Sequence, residues 1–193
     1  MTSTLIACDG AVQLCGQYAC VYYENNCHND NNCSSIPVCE SAGSIRDRTP
    51  RIINELRSAQ RACGSVATTQ NPVDVVWDDT LMTASAVHSS DMSLTGVSSF
   101  IGSDGSTTEL RIQSAGAMPE VFAENILSGT QTSAETINAW LDIQTDCEHM
   151  LDSRYTRIGM SCSVSVSDNN GPYWSLILSG PCLLYTSPSP RDA

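Results

Sequence analysis

Apolar residues recur at helical spacing through residues 49–94. Thr49 followed by Pro50 predicts a helix start, because threonine caps helices well and proline suits the first helical position. Residues 78–94 predict a second helix, since four side chains spaced three or four positions apart share one face: Leu81, Ala84, His88 and Met92. This part of the chain is therefore expected to be helical.

Two further helices are predicted from the signals at their ends. Residues 109–114 form a short segment before Gly116, and glycine is typical of the position that follows a helix. Thr132 and Glu135 have the spacing of a capping box, in which the threonine begins a helix and the glutamate side chain reaches back to it.

The apolar period then changes from that of a helix to that of a strand. Apolar residues alternate with polar ones from residue 158 to residue 166, which predicts a half-buried strand. Asp168–Gly171 (DNNG) predicts a hairpin turn, and residues 173–178 predict the returning strand. Helices followed by a strand hairpin are typical of an α+β fold.

Cysteines crowd the first 39 residues, in a segment rich in asparagine and serine. They are Cys8, Cys15, Cys20, Cys27, Cys33 and Cys39. A segment with so few apolar residues cannot fold around a core, so we expect disulfides and hence an oxidising compartment. A zinc site would require closer pairs such as C-x-x-C, and His28 is interpreted as a solvated loop residue.

The two ends of the chain carry unusual signals. Residues 182–192 (CLLYTSPSPRD) resemble a translated sequencing-library adapter, so they are left out of the fold and the natural gene is expected to continue past Pro181. The stretch ending at Cys8 (LIAC) is too short for a full secretory signal. It is either the end of a truncated lipoprotein signal, with Cys8 acylated, or the start of the disulfide-rich segment.

The predicted organisation has three parts. Residues 1–43 form a cysteine-rich segment, residues 44–181 form the main domain, and residues 182–193 form an artefactual tail.

Charge excludes two classes of partner. Nine arginines stand against 21 acidic residues, and the net charge is −12. No basic surface can neutralise phosphates, so nucleic acid is not an expected partner, and attraction to an anionic membrane is equally unfavourable. No apolar run has the length of a transmembrane span.

Six segments resemble, in order, the CAP superfamily of cysteine-rich secretory proteins, antigen 5 and pathogenesis-related 1 proteins, and in particular its bacterial SCP-like branch. The resemblance covers residues 51–180. The segments are INELRSAQRACG (53–64), VVWDDTLMTASAVHSSDM (75–92), GSDGSTTELRIQSAG (102–116), AENI (123–126), INAWLDIQTDCEHMLDSRYTRIGMSCS (137–163) and YWSLILSG (173–180). The resemblance implies an α-β-α sandwich.

Proteins of this superfamily typically place two histidines and one or two carboxylates around a central cleft, where a divalent metal can bind. Here Phe100 stands at the first histidine position and Asp146 at the second, while Glu124 of the AENI segment remains. Zinc sites of this kind depend on neutral imidazoles. The resemblance therefore implies a lost metal site, no cofactor, and a cleft that is closed or apolar at Phe100.

An enzymatic alternative uses the remaining polar residues. His149 follows Asp146 by three positions, a spacing that places two helical side chains on one side. Glu124, Asp146 and His149 would then form a rescued site, with Glu124 and His149 as candidate catalytic residues of a hydrolase or peptidase. Glu124 also has a structural interpretation, as a buried hydrogen-bond acceptor, and His88 is expected to be buried and hydrogen-bonded to backbone.

The resemblance also implies a disulfide between Cys63 and Cys147, the alternative being that each pairs with a cysteine of the first segment. With Cys182 set aside, the six cysteines of that segment and Cys162 remain, which is an odd number. One of them is then free, acylated or paired beyond the chain, and Cys162 is equally interpreted as a buried thiol.

The resulting hypothesis is a secreted or cell-envelope protein that binds an extracellular ligand (a lipid, a glycan or a protein) without catalysis. The alternatives are a hydrolase or peptidase of the same superfamily and a lipoprotein anchored through Cys8.

Overall fold

The structure is a computed structural model, and it describes residues 39–64, 72–165 and 171–181. The predictions for Cys8 to Cys33, for His28, for most of the DNNG turn and for residues 182–192 lie outside these ranges. The elements in chain order are α1 (Ala42–Ser58), β1 (Val76–Trp77), α2 (Asp79–Thr95), α3 (Thr108–Ala115), β2 (Phe122–Ser128), α4 (Ser133–Leu141), α5 (Gln144–Leu151), β3 (Arg157–Ser163) and β4 (Tyr173–Ser179).

The four strands form one mixed sheet in the order β1-β3-β4-β2. β3 and β4 pair antiparallel, as expected for the predicted hairpin, and β2 pairs antiparallel with the other side of β4. The short β1 lies parallel to β3 at the opposite edge. β2 therefore lies at one edge of the sheet, although it precedes the hairpin in the chain.

Helices cover both faces of the sheet. Side chains of α1, α4 and α5 form the larger core with one face, around the fully buried Trp140 and Trp174. α2 and α3 pack on the other face, where Leu81, Ile112 and Ile177 form a smaller cluster. The predicted α-β-α sandwich is confirmed. Within the described ranges, no helix is both long and apolar enough to cross a membrane.

Three of the predicted helix ends are confirmed. The Asp78 side chain accepts from the N–H groups of Thr80 and Leu81 at the start of α2. Thr132 and Glu135 form the predicted capping box of α4. Gly116 follows α3 with φ of 101°, a left-handed conformation that glycine adopts without strain.

The predicted helix start at Thr49 is wrong. α1 begins at Ala42 with Ser41 as its cap, and Pro50 lies inside the helix. Thr49 is fully buried and its hydroxyl donates to Met160 Sδ at 3.4 Å, so it packs on the sheet. Proline has no backbone N–H, so α1 lacks one helical hydrogen bond at Pro50. Packing against the sheet stabilises the helix despite this loss.

Within the described residues, two disulfides connect distant parts of the chain. Cys63 bonds to Cys147 of α5, the pair that the resemblance implies, with 5.6 Å between the Cα atoms. Cys39 bonds to Cys162 of β3, with 5.8 Å between the Cα atoms. The interpretation of Cys162 as a buried thiol is therefore wrong, because the chain before α1 brings Cys39 to it.

Close contact between α2 and β3 depends on Gly159. A methyl group at this position would overlap the backbone of Leu81 and Met82. We expect Gly159→Ala to lower the free energy of unfolding by about 2 to 3 kcal/mol, because a packed interface cannot absorb the extra volume. Urea denaturation measures this.

Gly43→Ala is the matched control, since nothing lies within 4 Å of the added methyl group. It lies in α1, so it is expected to stabilise the protein by about 0.5 kcal/mol. Equal effects of the two variants would contradict the close packing of α2 on β3.

Candidate functional site

The candidate site residues are divided between the two faces of the sheet. Glu124 and Asn125 are consecutive in β2, so their side chains point to opposite faces. Glu124 contacts α3 and β4 on the face covered by α2 and α3. Asn125 contacts His149 and the backbone of Asp146, both in α5, on the other face. The structure therefore does not bring Glu124 together with Asp146 and His149.

Both carboxylate oxygens of Glu124 are occupied by donors of this chain. Oε2 accepts from Arg111 Nη2 at 2.7 Å and from the Thr108 hydroxyl at 2.6 Å. Oε1 accepts from the Ser175 hydroxyl at 2.7 Å. The Arg111 and Glu124 side chains are each 2% exposed, so this is a buried ion pair. Its geometry agrees with the interpretation of Glu124 as a buried acceptor.

Arg111 also fastens the loop that precedes α3. Nη1 donates to the Ser106 carbonyl at 2.8 Å, and Nη2 donates to the Phe100 carbonyl at 3.1 Å. One guanidinium thus joins this loop to β2. Arg111 was not identified from the sequence. The available sequence signal was an arginine next to the apolar Ile112 in a short predicted helix, and the structure buries both residues.

The structure does not bury Phe100 in the cleft. Its side chain is 50% exposed, and only its carbonyl faces the cluster. The space beside Glu124 is taken by the Arg111 guanidinium and by hydroxyl groups, which offer a phenyl ring no apolar surroundings. The cleft is therefore filled by a charged pair and not by an aromatic ring.

The opposite face holds a smaller polar cluster around the fully buried Asn125. Asn125 Nδ2 donates to the Asp146 carbonyl at 3.0 Å, which turns its Oδ1 toward His149 Nδ1 at 2.8 Å. The His149 Nδ1 atom must then carry the proton and donate, which leaves Nε2 as the acceptor. Burial lowers the pKa of His149, so the ring is neutral at pH 7.

These residues do not fit the family's metal site. Glu124 is neutralised by Arg111, Phe100 has no ligand atom in its side chain, and Asp146 lies across the sheet from Glu124. In the described part of the chain, no three side chains among His, Cys, Asp and Glu are grouped so that they could hold a metal ion.

Asp146 is buried at 7% exposure, and this desolvation raises its pKa from 3.8 to about 6. Folding therefore favours the protonated carboxyl, and the stability this provides falls as pH rises from about 4 to about 6. We expect Asp146→Asn to raise the free energy of unfolding at pH 7.5 by about 2 kcal/mol, and to have little effect at pH 4. Urea denaturation at the two pH values tests this.

Asp142→Asn serves as the control, because Asp142 is exposed at the end of α4. It is expected to change stability by less than about 0.5 kcal/mol at either pH. A destabilised Asp146→Asn variant at pH 7.5 would show that the ionised carboxylate is favourably solvated in the folded protein.

His88 is fully buried, as expected, and the Ser99 backbone interacts with its ring in the sense that favours the protonated form. Among the described residues, no partner lies at ordinary hydrogen-bond distance and angle from Nδ1 or Nε2, and the same holds for Arg111 Nε. Burial lowers the pKa of His88, while Glu124 acts to raise it and Arg111 to lower it. His88 is thus a buried neutral histidine beside the ion pair.

The architecture and these segments define the class of protein: an α-β-α sandwich with CAP-type sequence motifs. The model of the CAP family, the cysteine-rich secretory protein family, matches residues 51–178. The chain therefore belongs to the CAP family. A search of the curated proteins finds no match.

Solved bacterial structures share the fold at low sequence identity. An extracellular protein of Bacillus anthracis that contains an SCP domain is 16% identical, with a TM-score of 0.57, over 72% of this chain and 41% of its own. An outer surface protein of Borrelia burgdorferi is 17% identical, with a TM-score of 0.58, over 73% of this chain and 96% of its own. A cysteine-rich secretory protein of Staphylococcus aureus is 14% identical, with a TM-score of 0.53, over 74% of this chain and 40% of its own.

This chain therefore spans about two fifths of the Bacillus and Staphylococcus proteins. These similarities show the fold.

Proposed function

We propose that this CAP domain is a non-enzymatic binding module that acts outside the cell or in the cell envelope. The observation that carries the proposal is the buried ion pair between Arg111 and Glu124. The carboxylate that CAP proteins can offer to a metal is here neutralised inside the protein. It is therefore neither a metal ligand nor a general base.

The enzymatic alternative lacks support from the geometry. Glu124 and His149 act on opposite faces of the sheet, and each is bonded to a different set of partners. A general base must lie within hydrogen-bond reach of the reacting group, and no single substrate position satisfies both residues.

The extracellular setting is supported by the disulfides and by the relatives. Two disulfides fasten the described domain, and such bonds persist in oxidising compartments. The structural relatives include an extracellular protein and an outer surface protein. The ligand classes that the resemblance implies are a lipid, a glycan or a protein.

Zinc titration by calorimetry tests the proposal. We expect no stoichiometric binding by the wild-type protein at pH 7.5. Tight binding that Glu124→Ala abolishes and His149→Gln leaves intact would contradict it, because Glu124 would then be a free ligand. Hydrolysis of peptide or ester substrates that disappears in Glu124→Gln would contradict it as well.

Binding assays test directly whether the protein binds one of the three ligand classes. Flotation with phosphatidylcholine vesicles, a glycan array and a peptide array cover the three ligand classes. Saturable binding to one of them by a zinc-free protein is the expected result. Binding that requires added zinc would contradict the proposal.

A further inference from the structure

The feature that the proposed function leaves unexplained is a cavity of about 270 Å³ between the starts of α1 and α2 and the second half of β3. β1 pairs with Arg157 and Ile158 at the start of β3, so the cavity lies beside β3 beyond the end of β1. Among the residues that the structure describes, it shares no lining residue with the cluster around Glu124. The cavity is therefore separate from the cleft.

The interior of the cavity is apolar. Its buried lining residues include Ile45, Met160 and Cys162, and the half-buried Trp77 and Met82 also line it. Water finds few hydrogen-bond partners in such a space, so an apolar molecule can take its place. An apolar cavity of roughly 150 Å³ holds one benzene ring, so this one has room for about ten non-hydrogen atoms.

The rim of the cavity carries one charge of each sign. The Arg46 and Asp79 side chains are 53% and 61% exposed, and Arg46 Nη1 donates to Asp79 Oδ1 at 2.7 Å. Trp77 Nε1 donates to the same oxygen at 2.9 Å. A carboxylate here would meet Asp79 and a net charge of −12, and an ammonium group would meet Arg46. A hydroxyl group fits both, because it can donate to a carboxylate and accept from a guanidinium.

Glu40 also lines the cavity, but its carboxylate is bound by other groups. Oε2 accepts from the backbone N–H and the hydroxyl of Ser133, at 2.8 and 2.6 Å, and Oε1 lies 3.0 Å from Arg48 Nη1. An incoming molecule therefore finds apolar contacts inside the cavity and a neutral, hydrogen-bonding pair at its mouth. Small-molecule sites typically combine these two properties.

We propose that this cavity binds a small uncharged alcohol of about ten non-hydrogen atoms. The apolar body packs against Trp77, Met82 and Met160, and the hydroxyl group lies between Arg46 and Asp79. A sterol is excluded, because its fused rings alone exceed the volume of the cavity. The proposal names a ligand class for the binding module and to that extent rests on the proposed function. Its failure would leave the zinc test of the Glu124 cleft unaffected.

Calorimetric titration of the full chain with 1-octanol tests the proposal. We expect saturable binding of one molecule, accompanied by a change in the emission of Trp77. Octanoate and octylammonium have the same chain and carry the two charges, and each should bind at least about tenfold more weakly. Equal or tighter binding of either ion would overturn the proposal. Residues 1–38 precede Cys39, which lines the cavity. If they filled it, the full chain would bind no alcohol, and this result would overturn the proposal as well.

Gly43 offers a variant that fills the cavity without disturbing the fold. It lies in α1 and lines the cavity, and nothing lies within 4 Å of a methyl group added there. Leucine also favours a helix more than glycine does. Gly43→Leu should weaken the binding of 1-octanol at least about tenfold, whereas the smaller Gly43→Ala should retain it. Unchanged affinity in Gly43→Leu would overturn the proposal. The comparison of the three head groups uses the wild-type protein, so it decides even if that variant does not fold.

Discussion

Replacing Arg111 with methionine is expected to lower the free energy of unfolding by about 3 to 5 kcal/mol at pH 7.5. The substitution leaves the Glu124 carboxylate buried, with only the Thr108 and Ser175 hydroxyls as donors. An uncompensated buried charge is costly because the low-polarity interior replaces water around it. Urea denaturation followed by circular dichroism measures the loss.

The double variant Arg111→Met with Glu124→Gln separates charge from packing. It removes both charges, so much of the stability lost in Arg111→Met should return. Together with the two single variants it forms a double-mutant cycle, which gives the coupling energy between Arg111 and Glu124. Arg157→Met is the matched control, since the Arg157 side chain is 52% exposed in its pair with Asp78. A surface pair of this kind is worth about 1 kcal/mol or less. If Arg111→Met lowered the free energy of unfolding by no more than Arg157→Met does, Glu124 would be solvated, which would contradict the prediction.

Removing the Cys63–Cys147 disulfide should cost a similar amount. The bridge closes a loop with a sequence separation of 84 residues. On the chain-entropy model such a bridge stabilises by about 4 kcal/mol, because it restricts the unfolded chain. Cys63→Ala with Cys147→Ala is therefore expected to shift the urea midpoint downward strongly under oxidising conditions.

Reductant provides the control for this second prediction. It should destabilise the double variant further, because the Cys39–Cys162 bridge, with a separation of 123 residues, is still present there. Peptide mapping without reduction checks the pairing itself. A Cys63 peptide joined to any cysteine other than Cys147, or an unchanged midpoint in the double variant, would refute the prediction.

Much of the scaffold follows from local signals in the sequence. The capping box at Thr132, the Asp78 cap and the glycine after α3 act within a few residues, so they can be identified without knowledge of the rest of the fold. The alternation from residue 158 located β3, but the prediction of a half-buried strand is wrong, because helices cover both faces of the sheet and residues 158–162 are all buried. The family motifs added the sandwich and the Cys63–Cys147 pair.

β2 escaped prediction because its sequence, FAENILS, carries no regular alternation. Without this strand, the sequence could not show that the side chains of Glu124 and Asn125 point to opposite faces of the sheet. It therefore could not show that Glu124 and His149 lie apart. The local signal at Thr49 and Pro50 was misleading for a related reason. Packing of α1 on the sheet outweighs the preference of proline for a first helical turn.

The sequence by itself determined the helices with clear caps, the strand hairpin and the family. Only the tertiary structure decided that Arg111 occupies the cleft and that Phe100 stays at the surface. The reason is physical. Caps and periodicity arise from neighbours in the chain, whereas a buried charge is paired by whichever side chain the fold carries to it.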